Sequence, residues 1–290
     1  MKGSLRATMM AAIATISSAA CAQDLFDSGR LLATGGVSQV EGAGGGGLSA
    51  WALITGYGSR DGIGANAHVT YVPLSDFSLL SEGVAVGLFD RVELSYARQT
   101  FDTETAGVRL GLGKGFKFDQ DIIGAKFRLF GDAVFDQDSW MPQVAAGLQY
   151  KMNDRGAVIR AIGGRHDSGT DYYLAASKLF LAERLLVNAA VRATEANQYG
   201  LLGFGGDKGG YSAQFEGGAV FLLTRSLALG FDYRTKPDTL KFAKEDDAFD
   251  LFAAWFVNKN LSVTLAYADL GDIALQGRQN GAYVSLQVGF

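Results

Sequence analysis

Cysteine and proline are nearly missing: the 290 residues hold one Cys and three Pro. With Cys21 as the single thiol, a disulfide framework is excluded, and so is catalysis or metal ligation built on paired cysteines. Histidine is almost as scarce, with only His68 and His166 to supply an imidazole. Long apolar runs are absent too. "LFAAWFV" (Leu251 to Val257) is among the longest, far short of the ~20 residues a membrane-spanning helix needs. A helical span is therefore not expected, which leaves other ways of crossing a membrane open. Basic charge is also in short supply, with 26 Lys and Arg against 30 Asp and Glu. Such a mildly acidic chain argues against nucleic acid as a partner.

The first residues, "MKGSLRATMMAAIATISSAACAQ", have a basic start at Lys2 and Arg6, a short apolar stretch from Met9 to Ile16, and then small residues. Ala20-Cys21-Ala22 has the A-x-A form of a cleavage site, so residues 1–22 are expected to be a removable secretory signal peptide. A lipoprotein signal with Cys21 acylated is the rival, weakened because Ser18-Ala19-Ala20 lacks an aliphatic residue.

What is abundant is glycine, 39 residues, nearly twice the usual share of ~7%. Much Gly with little Pro suits strands and tight turns, because Pro removes ladder hydrogen bonds. Apolar residues recur with period two. In "SLALGFDYRT", Leu227, Leu229, Phe231 and Tyr233 oppose Ala228, Gly230, Asp232 and Arg234. In "LLVNAAVRAT", Leu185, Val187, Ala189 and Val191 oppose Leu186, Asn188, Ala190 and Arg192. "NAHVTY", "GAKFRLFG" and "NLSVTLAYAD" alternate in the same way. This is the pattern of a strand with one apolar and one polar face.

Fourteen strands are expected, within a range of 12 to 16: 48–58, 62–72, 79–89, 91–101, 121–131, 141–151, 156–165, 170–180, 184–194, 212–223, 226–235, 247–257, 260–268 and 281–290. Nearly all have the ~9–11 residues that a tilted strand needs to cross a bilayer, against a soluble mode of about 5–6. "MNDRG" (152–156), "LAER" (181–184), "TRS" (224–226) and "NKN" (258–260) read as tight turns on one rim. Longer stretches, 132–140, 166–169, 195–211, 236–246 and 269–280, are assigned to the other. The fold class expected is all-β, a transmembrane antiparallel up-and-down barrel over 48–290. Residues 23–47, rich in glycine, are a first strand, a lumenal plug or a flexible arm, and 106–116 is a short strand or an inserted loop or helix. Tyr71, Tyr96, Phe101, Tyr150, Phe180, Tyr211, Tyr233, Trp255 and Tyr267 fall towards strand ends, where aromatic girdles meet headgroups. A soluble β-sandwich is the alternative; its strands would be shorter.

The chain ends "AYVSLQVGF", with Val284, Leu286, Val288 and the terminal Phe290 on one face. This ending resembles the closing strand of Gram-negative outer-membrane barrels. The resemblance implies that these four residues are an assembly signal read by the barrel-assembly machinery, and that outer-membrane lipid and lipopolysaccharide surround the protein. Separately, "GRLLATGGVSQVEGAGGGGLSAWALITGYG", "GVAVGLFDRVELSYARQTFDT", "RLFGDAVFDQDSWMPQVAAGLQYK" and "QFEGGAVFLLTRSLALGFDYRTKPD" are similar to a bacterial family known only as a domain of unknown function, which implies no activity.

A catalytic site does not emerge. "RHDSGTD" spells His166, Asp167 and Ser168 in a row, but neighbours in a strand point to opposite faces, so Asp167 could not orient His166. "GAGGGG" lacks the Gly-Lys-Ser/Thr ending of a phosphate loop, and "GLGKGF" lacks a strand–helix setting. Asp136 and Asp138, or Glu245, Asp246, Asp247 and Asp250, could hold Ca²⁺ but have no full loop pattern. No cofactor and no metal are expected. The polar inner face remains: Glu93, Lys126, Arg128, Asn188, Arg192, Gln214, Glu216, Asp232, Arg234 and Asp250 are the candidate pore-lining residues. Both signs of charge occur, compatible with a wet pore or with a closed lattice of ion pairs. The expected function is a porin-like channel or passive transporter of small solutes in the outer membrane. A closed structural or assembly barrel and a hydrolase using His166 are the alternatives.

Overall fold

The computed structural model describes Arg30 and residues 32–290; the leader expected at 1–22, and residues 23–29 and 31 of the segment expected at 23–47, lie outside the described residues. A two-residue hairpin comes first, β1 (Val37–Ser38) with β2 (Gly44–Gly45). Twelve long strands follow. They are β3 (Ile63–Pro73), β4 (Ser78–Leu88), β5 (Val92–Asp102), β6 (Lys117–Phe130), β7 (Gln143–Asn153), β8 (Ser168–Phe180), β9 (Leu185–Thr194), β10 (Ser212–Leu222), β11 (Leu227–Arg234), β12 (Ala248–Phe256), β13 (Leu261–Asp272) and β14 (Arg278–Gly289). Each pairs antiparallel with its sequence neighbour, and β14 pairs with β3 to close the barrel. Val284 sits opposite Tyr71 and Gly289 opposite Asn66 at this seam. Closure leaves no strand edge, the condition for a sheet to stand in lipid.

The period-two pattern sets the two faces. Val69, Tyr71, Leu94, Ile123, Leu174, Val191, Phe231, Leu251, Trp255, Leu265 and Leu286 are exposed on the outer wall. Their neighbours in sequence point inward and are buried, as Thr70, Glu93, Ile122, Arg192, Asp232 and Asp250 show. An apolar skin around a charged interior is the inverse of a soluble protein. It fits a surface solvated by acyl chains.

Two of the fourteen expected strands are not strands. Residues 156–165 begin with the short helix Gly156–Ala161; its Ala157, Ile159 and Ala161 satisfy a period of two over so short a stretch. Residues 48–58 are irregular chain inside the barrel. "MNDRG" is consequently no tight turn: β7 runs to Asn153 and the connection 154–167 lies on the rim opposite 181–184. Strand parity then moves 131–142 to the rim that carries the short turns 89–91, 181–184, 223–226 and 257–260, together with Phe290. The far rim carries 103–116, 154–167, 195–211 and 235–247, and the shorter 74–77 and 273–277. Residues 106–116 form neither a strand nor an open loop but start with the helix Ala106–Arg109. Phe101, expected in a girdle, points inward and stacks on Phe77 with ring centroids 5.1 Å apart.

Candidate functional site in the lumen

Residues 32–58 run through the lumen, and almost every side chain in the stretch is buried. Apart from β1 and β2 this segment has no ladder to satisfy its backbone, and a buried peptide group without a partner costs about 1–3 kcal/mol. The inner wall supplies the partners. Glu93 accepts from the backbone N–H of Gly44 and of Thr55, each at 2.9 Å. Lys126 Nζ donates to the carbonyls of Gly44 (2.8 Å) and Leu53 (2.7 Å) and to Glu93 (3.0 Å). Glu216 accepts from Ala50 N–H at 2.9 Å, and Asn188 donates to Ala50 O at 3.3 Å. Ser177 and Gln143 satisfy the N–H and the carbonyl of Ala52 at 2.9 and 2.6 Å. Ser81 and Gln99 both donate to Val40 O, at 2.6 and 2.8 Å.

At mid-height the charges form one balanced lattice. Glu41, from the plug, faces Lys151 and Arg234; Asp171 faces Lys151 (2.8 Å) and Arg192 (3.3 Å). Glu216 joins Arg192 to Arg234, the latter at 3.2 Å. Three carboxylates thus meet three cations, all nearly inaccessible to water. Burying six charges is tolerable only because each is paired and hydrogen-bonded.

Towards the rim of Phe290, the plug's Val37, Trp51 and Leu53 pack on the inward Leu179, Leu186, Val220, Phe252, Ala254 and Phe256. The cavity left there is about 30 Å³, room for about one water. Arg30 fixes the plug's entry, donating to Ile54 O at 2.7 Å and pairing with Asp90. The far side is shut by a second cluster, which the plug's Val40 and Leu48 join. Tyr199, Leu201 and Leu202 of connection 195–211 fold into the lumen with Phe77, Phe101, Phe118 and Leu240. Tyr199 O accepts from Lys151 (3.1 Å), and its ring lies 4.3 Å from the Arg234 guanidinium. Gln198 and Tyr199 hold φ of 45° and 60° to make this inward turn, a backbone conformation that costs a non-glycine residue about 1–2 kcal/mol.

All ten residues expected to line a pore project inward on their strands. Nine of them are buried and border no open space, and Gln214 is half-buried. Glu93, Lys126, Asn188, Arg192, Glu216, Asp232 and Arg234 contact the plug or the lattice behind it. Arg128 pairs with Asp90 at 2.6 Å, beneath Arg30. Gln214, half-buried near the far rim, donates to Ser212 and accepts from Thr235. Asp250 touches Asp232, accepting from its backbone N–H at 3.1 Å. Glu41, Lys151, Asp171 and Tyr199 were missed. Lys151 and Asp171 alternate correctly and needed only to be included; Glu41 and Tyr199 sit in irregular chain that carries no period.

His166 is exposed on the far-rim connection, bridged through its backbone to Phe204, while the Asp167 carboxylate lies 3.6 Å from Arg160. The three residues spelled in a row do not converge. His68 is buried on β3 with Ser81 Oγ at 3.4 Å. The acidic runs disperse as well: Glu245 pairs with Lys236, Asp246 with Lys244, and Asp247 accepts from Tyr233. Among the described residues no group of three or more His, Cys, Asp or Glu is placed to hold a metal.

The fold is shared with solved porins. The KdgM porin superposes with a TM-score of 0.50 at 9% identity, covering 78% of this chain and 99% of that one. The same porin in complex with disordered oligogalacturonate gives 0.50 at 8% over the same shares. The NanC porin gives 0.47 at 12%, covering 78% and 97%. At such identities the likeness is one of fold. No curated protein matches in sequence. A family model does, over residues 34–287, from the plug through the closing strand, and the chain belongs to that family, Protein of unknown function (DUF3034).

Proposed function

We propose that the chain is a porin-like barrel of the Gram-negative outer membrane that is plugged by its own N-terminal segment. Its resting state is non-conducting, and small solutes pass only when residues 32–58 leave the lumen. One observation carries this reading: the inward polar residues spend their hydrogen bonds on the plug backbone rather than on open water. The mixed charge supports no preference for the sign of a solute. No catalytic step is assigned.

A second reading, a permanently closed structural barrel, is favoured by the second seal at Tyr199, Leu201 and Leu202. Planar-bilayer recording separates the two. The full chain should show no steady conductance, and removal of residues 32–58 should give discrete openings. A deleted protein that folds, by its heat-modifiable band, yet stays silent would leave the structural reading. Steady conductance from the full chain would refute both.

The apolar outer wall supports lipid and lipopolysaccharide as its surroundings. Phe290 supports an assembly signal: its backbone is tied to Tyr57 and Ala65 while its ring is about half exposed. Deleting Phe290 should lower the yield in the outer-membrane fraction; an unchanged yield refutes that role.

A further inference from the structure

Among the described residues, every interior anion but two has a cation. Glu41, Asp171 and Glu216 are matched by Lys151, Arg192 and Arg234; Glu93 by Lys126; Asp90 and Asp132 by Arg30 and Arg128. Asp232 on β11 and Asp250 on β12 are directly opposite in register, both nearly inaccessible to water. Among the described residues no cation pairs with either. The two are not equivalent. Asp232 accepts from Ser49 Oγ, from Leu48 N–H at 3.4 Å and from Trp51 Nε1 at 3.4 Å, all on the plug. Asp250 accepts at Oδ1 from the Asp232 backbone, and its Oδ2 has no partner.

The surroundings close the account from every side. β10 contributes Gly218 beside Asp232, and its Glu216 is taken by Arg192 and Arg234. On β11, Arg234 is spent on Glu41 and Glu216. β13 places Ala268 opposite Asp250, and its Asp269 is taken by Arg278. β14 contributes the Tyr283 ring, and the plug presses Gly46 and Gly47 against the two carboxylates. A Cβ on Gly46 would lie 2.0 Å from Asp232 Oδ2, and one on Gly47 2.7 Å from Asp250 Oδ2. That packing leaves no gap for a hydrated ion.

Two adjacent carboxylates in so dry a site do not both ionise; one keeps its proton. We infer that Asp232 and Asp250 form a proton-held latch for the plug, Asp232 ionised to grip Leu48 and Ser49 and Asp250 protonated while the plug is seated. The inference rests on the plugged reading above. Once the plug leaves and water enters, both carboxylates ionise as ordinary ones. The seated state thus binds one proton more than the open state, so rising pH drives the equilibrium towards release.

The test uses Val40→Cys, which places a slightly smaller side chain at a buried plug position; the natural Cys21 lies in the leader expected to be removed. Maleimide labelling of folded protein should be slow near pH 5.5 and accelerate at least about tenfold by about pH 8.5, after correction for thiol ionisation against an exposed Val108→Cys control. Adding Asp250→Asn, which copies the protonated form, should flatten the rise to within about twofold. Asp250→Asn with the parental profile, a parental profile that is flat, or labelling set by added Na⁺ or Ca²⁺ at fixed pH overturns the latch. Fast labelling at every pH would instead overturn the plugged reading itself. A heat-modifiable band checks that each variant folds, and Asp250→Glu, still titratable, should restore the pH dependence.

Discussion

Glu41 of the plug and Arg234 of β11 meet at the centre of the lumen in a two-point ion pair. Oε2 lies 2.9 Å from Nη1 and Oε1 3.4 Å from Nη2, and Lys151 reaches the same carboxylate from β7. Arg234 and Lys151 stand on strands separated by β8, β9 and β10, so one plug carboxylate ties distant parts of the wall together. Replacing Glu41 by Ala leaves three buried cations facing two carboxylates, because Lys151 keeps Asp171 and Arg234 keeps Glu216, and an uncompensated buried charge costs about 3–5 kcal/mol. The expected outcome is a folded barrel with an unseated plug, read as new channel openings in a bilayer. Silent bilayers with unchanged thermal stability would show that Glu41 does not hold the plug.

The four consecutive glycines 44–47 make a second, steric prediction. The wall carboxylates reach so close to this run that Gly46 has no room for a Cβ. Gly46→Ala should therefore disturb seating, whereas Gly113→Ala should leave it intact, because that far-rim glycine has nothing within 4 Å. Gly113 has φ of 91°, so its substitution still costs local strain of about 1 kcal/mol. Accessibility of a buried plug cysteine, compared between the two variants, checks the contrast.

These relationships were unevenly legible in the sequence. The barrel was readable because a wall strand has one apolar outer face and one polar or small inner face, and "SLALGFDYRT" or "NLSVTLAYAD" writes that alternation directly. The inward direction of Arg192, Asp232 and Asp250 followed from the same period. Their partners did not. The plug is held by its backbone, which is the same for every residue type, so in "GAGGGGLSAWALIT" the glycines read equally as a first strand, a plug or an arm, and the part from Leu48 on as a strand, until the wall's donors and acceptors surround them. The helix at 156–161 was hidden because six residues are too few to separate periods of 2 and 3.6. Missing it shifted the rim assigned to 131–142.

On the far rim, Glu245 predicts a pH effect separate from the latch. Burial pushes its carboxyl up to about 7, even with Lys236 Nζ 3.2 Å away. Folded Glu245 holds its proton over a range where the unfolded group, near the ordinary 4.5, has lost it. Stability of the 235–247 connection should be highest below about pH 4.5 and fall as pH rises to about 7, by at most about 3 kcal/mol. Glu245→Gln should remove this slope. Hydrogen exchange of connections 195–211 and 235–247 across that range is the measurement, and a slope that survives the substitution would dismiss Glu245 as its source.

Leu251 tests what the outer wall faces. It lies mid-strand on β12, more than half exposed, between the outward Phe231 and Tyr267 in register. In a bilayer an Arg at such a depth costs about 2–4 kcal/mol; in water it would be neutral or better. Val108, in the far-rim helix Ala106–Arg109, is equally exposed but lies beyond the strands. Leu251→Arg should therefore lower folding yield into lipid vesicles while Val108→Arg leaves it unchanged. Equal yields for the two would mean that the apolar wall is not solvated by lipid. A drop for Leu251→Arg alone ties the alternation written in "FDLFAAWF" to the membrane that selects it.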